Sequence, residues 1–252
     1  MLNLFLAHGW ANSPGRMAVA AAVTVGFAVL ARALRGVNGS GALAGGIACF
    51  ALYASAGPSA FAALAALFLL TWAATLLGFR RKQELGVAEH REGRNGWQVL
   101  TNLGVAALSS MLFSVTGNRA WLVAAIAALA EAATDTVASE IGQNHGRTAL
   151  LITTWKPVAA GTDGGVTDLG TMAGAIAGLL IATVSTVAGL LSPFQLWIAA
   201  SAGFAGMLVD SLLGATCQRR GWMDNEAVNF FGTLVAAMLA YGFSSWQSAI
   251  ST

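Results

Sequence analysis

Charged residues are scarce in this sequence. Asp, Glu, Lys and Arg make up 10% of its 252 residues, against about 25% in soluble domains. Hydrophobic residues account for 56%, and the mean hydropathy is +0.68. This composition excludes an ordinary soluble fold. The net charge of only +2 and the spread of the basic residues over separate loops argue against a nucleic-acid-binding surface.

Cysteine and histidine are also rare, which excludes several kinds of site. Cys49 and Cys217 lie far apart in apolar runs, so we expect buried thiols rather than a disulfide or a metal site. His8, His90 and His145 show no spacing typical of metal ligands. We find neither a zinc pattern nor a Ser-His-Asp arrangement.

Long apolar runs are what the sequence has in abundance, and several reach the ~18 residues of a transmembrane helix. They predict one integral-membrane domain over residues 1–252, an all-α bundle with eight spans. We expect these spans near 14–34, 41–56, 59–79, 98–115, 119–141, 168–191, 195–217 and 227–246. The second is short and rich in glycine. The first ten residues lack the basic segment of a signal peptide, and the first dozen are expected to lie at the interface.

The basic residues predict the orientation of these spans. Eleven of the thirteen lie on one side: Arg32, Arg35, Arg80, Arg81, Lys82, Arg91, Arg94, Arg147, Lys156, Arg219 and Arg220. Only Arg16 and Arg119 fall on the other. By the positive-inside rule the first side is cytoplasmic and both termini face outward. The long polar connections are then cytoplasmic, and we expect the chemistry there.

One polar stretch, TTWKPVAAGTDGGVTDLGT at 153–171, is dense in glycine. Four glycines lie within ten residues: Gly161, Gly164, Gly165 and Gly170. Glycine lets backbone N–H groups approach a ligand, and a helix starting at Thr167 or Asp168 adds its positive dipole end. These features favour a phosphate site, with Lys156 as a charged partner. A flexible turn before a helix N-cap explains the same residues, and the spacing is not that of a P-loop.

Three acidic residues fall in or near the fifth span: Glu131, Asp135 and Glu140. An acid within a span is costly and indicates a functional site. Ser139 shares the face of Asp135, whereas Glu140 is about 140° away and joins the site only through side-chain reach or a helix end. Carboxylates suit Mg²⁺. The alternatives are pairing with Arg147 or a hydrogen bond between helices, and Glu131 is interpreted as structural.

Further polar residues repeat at helical spacing. Gly206, Asp210 and Gly214 form a bare helix face that carries one carboxylate, with Ser211 beside it. One face of the fourth span carries Arg91, Asn95, Gln98 and Asn102, and the last span begins with Asp224, Asn225 and Asn229. Solvation or capping of helix ends explains Arg91 and Asp224. It does not explain Asn102 or Asn229, which lie further inside.

Five motifs then carry a resemblance. RNGWQVLTN, ATDTVASEIG, LITTWKPVAAGTDGGVT, VDSLLGAT and DNEAVNFF follow in this order over about 94–232. They resemble the integral-membrane family that includes plant phytyl-phosphate kinase and the animal transmembrane protein 19. The first three spans contribute no motif.

The resemblance implies a Mg²⁺-dependent kinase that converts a prenyl monophosphate, phytyl- or geranylgeranyl-like, to the diphosphate. CTP is favoured over ATP as the donor. It implies catalytic roles for Asp135, Asp210 and Lys156, and Mg²⁺ ligands at Asp135, Glu140 and Asp210. The phosphate and nucleotide site would comprise Thr153, Gly161, Thr162, Asp163, Gly164, Gly165 and Thr167. Residues that orient the substrate would be Asn95, Gln98, Asn102, Ser139, Ser211, Gly214, Asn225 and Asn229. One departure is Asp163, where the family pattern has Asn. An added negative charge opposes phosphate binding unless Mg²⁺ or Lys156 compensates it.

Two alternatives stay open. Intramembrane acids and broken helices also suit a transporter or channel for a small anion or a lipid phosphate, which requires polar groups along a path to the outer face. A lipid-phosphate cytidylyltransferase uses the same nucleotide and metal. The kinase interpretation predicts that Asp135 and Asp210 converge on one pocket facing the glycine-rich stretch.

Overall fold

The computed structural model describes residues 14–84, 86, 92–145 and 148–250. His8, His90, Arg91 and Arg147 lie outside this part, as does the N-terminal segment predicted to be interfacial. The described residues contain eight helices long and apolar enough to cross a membrane. They are α1 (Pro14–Ala33), α2 (Gly39–Ala56), α3 (Pro58–Leu76), α5 (Gly96–Thr116), α6 (Ala120–His145), α7 (Asp168–Val187), α8 (Pro193–Leu213) and α9 (Asn225–Ile250). The prediction of an all-α polytopic membrane protein with eight spans is confirmed.

The second span, the shortest of those predicted, is a regular helix of 18 residues. Asn38 caps α2, and its side chain accepts a hydrogen bond from the backbone N–H of Gly41 at 2.9 Å. A capped N-terminus satisfies donors that would otherwise be exposed in lipid or interface. A short helix α4 (Phe79–Glu84) follows α3, and α8 continues into a π-helical turn, Gly214–Gln218.

Helix α6 is the centre of the bundle. It packs against α3, α5, α7, α8 and α9, and most of its residues between Ala120 and Val137 are buried. Its apolar half is rich in alanine. Small side chains let neighbouring backbones approach closely, which is the usual basis of helix packing in membranes.

Glycines of α7 complete this close packing. A Cβ atom on Gly174 would overlap the carbonyl oxygen of Thr134 in α6, and one on Gly178 would overlap the hydroxyl of the same threonine. The Gly174–Gly178 spacing therefore forms a close contact between α6 and α7. This contact fixes the distance between α6 and the start of α7, where polar residues of both helices meet.

The long connection between α6 and α7 folds into a small antiparallel sheet. Its strands are β1 (Thr148–Leu151), β2 (Pro157–Ala159) and β3 (Gly165–Val166), in the order β2-β1-β3. Leu150 pairs with Pro157 on one side and Val166 on the other. The sequence stretch interpreted as a loop thus contains two short strands. Strand β1 pairs with both β2 and β3 and so fixes the two ends of the segment between them. This segment is thereby held against the bundle.

Two basic residues oppose the predicted positive-inside asymmetry, and both have local partners. The Arg16 guanidinium donates to the carbonyl oxygen of Tyr53 at 3.5 Å, and that of Arg119 donates to Leu190 at 2.9 Å. Both acceptors lie near helix ends, where cations interact favourably with the dipole. Their position is explained by these contacts.

The cysteines follow the prediction in part. Both thiols are free, as expected. Cys49 is fully buried, whereas Cys217 is only half-buried, because the π-helical turn carries it towards the end of the bundle. The expectation of a buried thiol is therefore wrong for Cys217.

Candidate functional site

A polar cavity of about 140 Å³ lies where α6, α7, α8 and the connection from β2 to β3 meet. Its polar lining includes Asp135, Ser139, Gln143, Thr162, Asp163, Thr167, Thr171, Asp210, Ser211, Gln218 and Asn225. Its glycine lining comprises Gly142, Gly161, Gly164, Gly165 and Gly214. The cavity thus brings together residues from four of the five sequence motifs.

The two aspartates predicted to meet do meet. Asp135 comes from α6 and Asp210 from α8; both line the cavity, and their carboxyl groups interact with each other. The Oδ2 atom of Asp210 is buried and has no hydrogen-bond partner among the described residues. Two carboxylates this close repel unless a proton or a cation lies between them. The pair is therefore suited to hold a cation.

A third acid, Glu131, lies one helical turn from Asp135 on the side away from the cavity. It is 1% exposed, and its Oε1 atom has no hydrogen-bond partner in the described part of the chain. Gly206 and Gly232 make room for it, since a Cβ at Gly206 would lie 2.7 Å from the Glu131 Cγ. Its charge interacts with both aspartates. Glu131 therefore belongs to the same acidic group as Asp135 and Asp210, whereas the sequence interpretation gave it only a structural role.

The donor set fits Mg²⁺. Within the described ranges there is no group of three or more His, Cys, Asp or Glu placed to hold a metal ion, so a cage built only of protein ligands is absent there. Mg²⁺ ordinarily takes one or two carboxylates and completes its coordination with water and substrate phosphates. Asp135 and Asp210 provide that arrangement, with the unpartnered Asp210 oxygen as the direct indication.

The segment from Gly161 to Gly165 forms the wall opposite the aspartates. Gly164 has φ of +71°, and a Cβ there would overlap Ala215 of the π-helical turn. Glycine is therefore required both by conformation and by the close approach of two backbones. The contact holds the segment against the end of α8, next to Asp210.

The phosphate interpretation expected the backbone N–H groups of this segment to face an anion, but two of them do not. The N–H of Gly165 donates to Thr162 O at 2.8 Å, and that of Thr162 donates to Ala159 O at 3.2 Å. These two amides close turns instead. The donors that remain for an anion include the start of α7, where Thr167 caps the helix by accepting from Gly170 N at 3.1 Å. The predicted helix start at Thr167 or Asp168 is confirmed.

Asp163 lies at the mouth of the cavity. Its side chain is largely exposed, but partial burial raises the pKa of its carboxyl above the ordinary value, and the positive charge of Arg219 opposes that shift. Arg219 follows the π-helical turn, and the sequence assigned it only to the side predicted to be cytoplasmic. It places a positive charge near Asp163, whereas Lys156, one of the two compensating charges that the sequence offered beside Mg²⁺, does not line the cavity.

The structure separates Glu140 from the aspartates. Its carboxylate accepts a hydrogen bond from Thr75 at 2.7 Å and pairs with Lys82 at 2.5 Å. The wide angle between Asp135 and Glu140 on α6 turns Glu140 towards α3 and α4, away from the polar cavity. The expectation that Glu140 completes the metal site is wrong.

Several other predicted residues also lie elsewhere. Thr153 and Lys156 are exposed in the turn between β1 and β2 and do not line the cavity. Asn229 does not line it either, although Asn225, one turn earlier, does. Asp224 caps α9 by accepting a hydrogen bond from Ala227 N at 2.8 Å. The sequence analysis had explained Asp224 by such capping.

The amides of α5 serve a different place. Asn95 and Gln98 form a reciprocal capping box at the helix start, and the Asn102 amide donates to Gln98 O at 2.8 Å. Gln98 and Asn102 line a second, larger cavity of about 370 Å³ in the first half of the bundle. Their grouping with the aspartates in one pocket is therefore wrong.

Sequence reasoning also missed residues of the polar cavity. Gln143, Thr171 and Gln218 line it, and Arg94 interacts with Asp135 from the side of α5. The sequence did contain a signal for Arg94, because this residue begins the first of the five motifs. Gln218 carried no signal, because its position depends on the π-helical turn.

Comparison with known proteins shows which proteins this chain is similar to. It is 32% identical over 204 residues to an uncharacterized membrane protein of Synechocystis sp., covering 79% of each chain. It is 29% identical over 214 residues to the chloroplastic protein VTE6 of Arabidopsis thaliana, covering 81% of this chain and 64% of VTE6. An uncharacterized membrane protein of Methanocaldococcus jannaschii is 29% identical over 225 residues, covering 89% of this chain and 92% of that protein.

No solved structure matches the chain. The family described as integral membrane protein DUF92 matches residues 22–237, which include all five motifs and the polar cavity. The motif-based prediction of membership in a known integral-membrane family is thereby confirmed: the chain belongs to the DUF92 family of integral membrane proteins.

Proposed function

We propose that this protein is a prenyl-phosphate kinase of the membrane, which transfers a phosphoryl group from a nucleoside triphosphate to a prenyl monophosphate. CTP is the favoured donor and ATP the second choice. The observation that carries the proposal is the convergence of Asp135 and Asp210 on the segment from Gly161 to Gly165 in one polar cavity. The five-motif resemblance and the similarity to VTE6 support it.

Phosphoryl transfer depends mainly on positioning and on neutralising charge. An oxygen of the prenyl monophosphate attacks the terminal phosphorus of the nucleotide, and the bond from that phosphorus to the bridging oxygen breaks, leaving the nucleoside diphosphate. The attacking oxygen is already ionised near neutral pH, so no strong general base is required. This agrees with the absence of histidine from the cavity lining.

The chain's own residues would divide the work as follows. Asp135 and Asp210 hold Mg²⁺, which when bound neutralises the charge of the phosphates. The N-terminus of α7 at Thr167 and Thr171 faces the nucleotide phosphates with its positive dipole end. Ser139 and Ser211 donate hydrogen bonds to phosphate oxygens from the two helices that carry the aspartates. The site opens on the face predicted to be cytoplasmic.

The test is an assay of the purified protein with radiolabelled CTP or ATP, Mg²⁺, and phytyl or geranylgeranyl monophosphate. We expect the prenyl diphosphate as product. Asp135→Asn and Asp210→Asn should each lower kcat/KM by about 100-fold or more, because each removes a charge from the proposed metal site. Asp168→Asn is the matched control: this aspartate is exposed beside the cavity without lining it, and its loss should change kcat/KM less than two-fold.

Four outcomes would contradict the proposal. No diphosphate with either donor would count against a kinase, and release of pyrophosphate with a nucleotide joined to the lipid would indicate a cytidylyltransferase. Equal effects of all three substitutions would show that the aspartate pair has no special part. Transport of phosphate across sealed vesicles without product formation would favour the transporter.

A further inference from the structure

The larger cavity, about 370 Å³, lies among α1, α2, α3 and α5 and reaches Ala132 of α6. Its walls are mainly apolar, with Phe27, Leu64, Leu67 and Phe68 among them. Phe27 and Phe68 meet edge to face with centroids 5.4 Å apart. Its volume lies within the range of pockets that bind small ligands, about 300–1,000 Å³. None of the five motifs accounts for most of these residues.

One end of this cavity is polar. Arg94, Gln98 and Asn102 line it there, together with Thr75. The backbone of Arg94 is fixed by two hydrogen bonds, from its N–H to Gly36 O at 3.1 Å and from Asn38 N–H to its carbonyl at 3.0 Å. The cavity thus combines a long apolar body with a rigid end that carries a positive charge and two amides.

The polar end adjoins the aspartate cavity across α6. The Arg94 guanidinium donates to Thr136 Oγ1 at 3.5 Å, and Thr136 follows Asp135 in the chain. Ala132 lines the apolar cavity, and Asp135, one turn further, lines the polar one. A molecule with its body in the first cavity would therefore present its head group beside the residues proposed to hold the nucleotide and Mg²⁺.

We infer that the apolar cavity binds the isoprenoid chain of the monophosphate substrate, with its phosphate at Arg94, Gln98 and Asn102. This inference rests on the proposed function and specifies where its lipid substrate binds: in the bundle interior rather than at a lipid-facing surface. Arg94 provides a planar set of donors that matches phosphate oxygens. The first three spans, which lack motifs, would then determine chain length rather than chemistry.

A second apolar depression is the competing location. It lies on the outside of α1 and α2, includes Val25, Leu43, Ile47 and Phe50, and is open towards lipid. It contains Arg32 as its single charged residue among those described and has no connection to the aspartates. Lipid tails cover such a surface in any membrane protein, so it needs no specific ligand.

Substitution of two adjacent glycines of α2 allows the two locations to be tested separately. Gly45 lines the interior cavity, and a Cβ there would be 3.7 Å from Val99 Cγ1, an ordinary contact. Gly46 lines the outer depression, with a similar 3.6 Å to Thr24 Cγ2. Leucine at either position fills one space and leaves the other open, so Gly46→Leu is a matched control for Gly45→Leu.

The first experiment compares KM for geranylgeranyl monophosphate and for dimethylallyl monophosphate, a five-carbon substrate. Gly45→Leu should raise KM for the long substrate at least ten-fold more than for the short one, because each methylene excluded from an apolar site lowers affinity about four-fold. Gly46→Leu should leave both KM values within two-fold. The same KM shift in both variants, or a shift only in Gly46→Leu, would overturn the inference.

A second experiment needs neither turnover nor a variant. The wild-type protein in nanodiscs is photolabelled with a geranylgeranyl phosphate that carries a diazirine at its far end, and the labelled peptides are identified by mass spectrometry. Label on the lining of the interior cavity, such as Leu64 or Phe68, supports the inference. Label confined to the outer face of α1 and α2, or spread over lipid-facing residues, overturns it. If the interior is labelled while no diphosphate forms, the proposed kinase fails and the lipid site stands.

Discussion

Asp135 and Glu140 illustrate how much the role of a carboxylate depends on its direction. They are five residues apart on α6, yet Asp135 meets Asp210 in the polar cavity while Glu140 meets Lys82 and Thr75. An acid within a span is costly unless it has a partner. The first pair is suited to a cation from solution, whereas the second acid has a cation of the protein itself.

At this scale Asp163 yields a prediction about pH. The raised pKa of its carboxyl means that it stays neutral to a higher pH than an ordinary aspartate, and above that pKa its charge repels a phosphate in the cavity. As pH rises through this pKa, nucleotide affinity of the wild type should fall relative to Asp163→Asn, by about five-fold at the plateau. Nucleotide Kd measured for both proteins from acid to neutral pH checks this.

The comparison with Asp163→Asn cancels the titration of the nucleotide phosphates themselves. Asp168→Asn should follow the wild-type pH profile, since that residue lies outside the cavity. A wild-type to Asp163→Asn ratio that is constant with pH would mean that the charge of Asp163 does not reach the ligand.

At the scale of elements, the Lys82 side chain fastens the short helix α4 to its neighbours. The Lys82 ammonium is fully buried and donates to Ala74 O at 3.2 Å, Thr75 O at 2.7 Å and Glu140 at 2.5 Å. Its three donors are thus used by the last carbonyls of α3 and by α6. A cation at a helix C-terminus satisfies free carbonyls and complements the dipole.

Removing Lys82 should therefore destabilise the protein. Lys82→Met leaves the Glu140 carboxylate without its cation, and we expect a loss of about 3–5 kcal/mol in the free energy of unfolding. In the double variant Lys82→Met/Glu140→Gln the loss should be smaller, since no uncompensated charge remains. Unfolding by SDS titration in mixed micelles measures both. Lys156→Met, at an exposed lysine, should change stability by less than 0.5 kcal/mol or so.

A double variant as unstable as the single one would show that packing, rather than charge pairing, gives Lys82 its importance. The same series separates structure from catalysis, because Lys82 and Glu140 do not line the polar cavity. Activity per folded molecule should thus persist in the double variant, whereas a loss with unchanged stability would return Glu140 to the proposed site.

On the scale of the whole molecule, the polar residues concentrate at one end of the bundle. The connections of that end include the β-sheet, the segment from Gly161 to Gly165 and the turn after α8. The opposite connections are short, and the two arginines of that end, Arg16 and Arg119, donate to carbonyl oxygens. The asymmetry of basic residues predicts that the polar end faces the cytoplasm.

Cysteine labelling tests this orientation. In a variant with Cys49 and Cys217 replaced by alanine, Asn118→Cys at the α5–α6 turn and Lys156→Cys at the β1–β2 turn are compared. A membrane-impermeant thiol reagent should label Asn118→Cys in intact cells and Lys156→Cys only after permeabilisation, since both positions are exposed. The reverse pattern would invert the predicted orientation and place the cavity on the outer side.

The sequence by itself determined the spans, the start of α7 and the identity of the aspartate pair. Each of these depends on local properties: the length of an apolar run, a capping side chain before it, or an acid in a segment where charge is costly. The partners of Glu140, the exposed position of Lys156 and the separation of Asn102 from the aspartates were decided only by the tertiary structure. They depend on the rotation of each helix about its axis, which is fixed by close packing of small residues from distant parts of the chain.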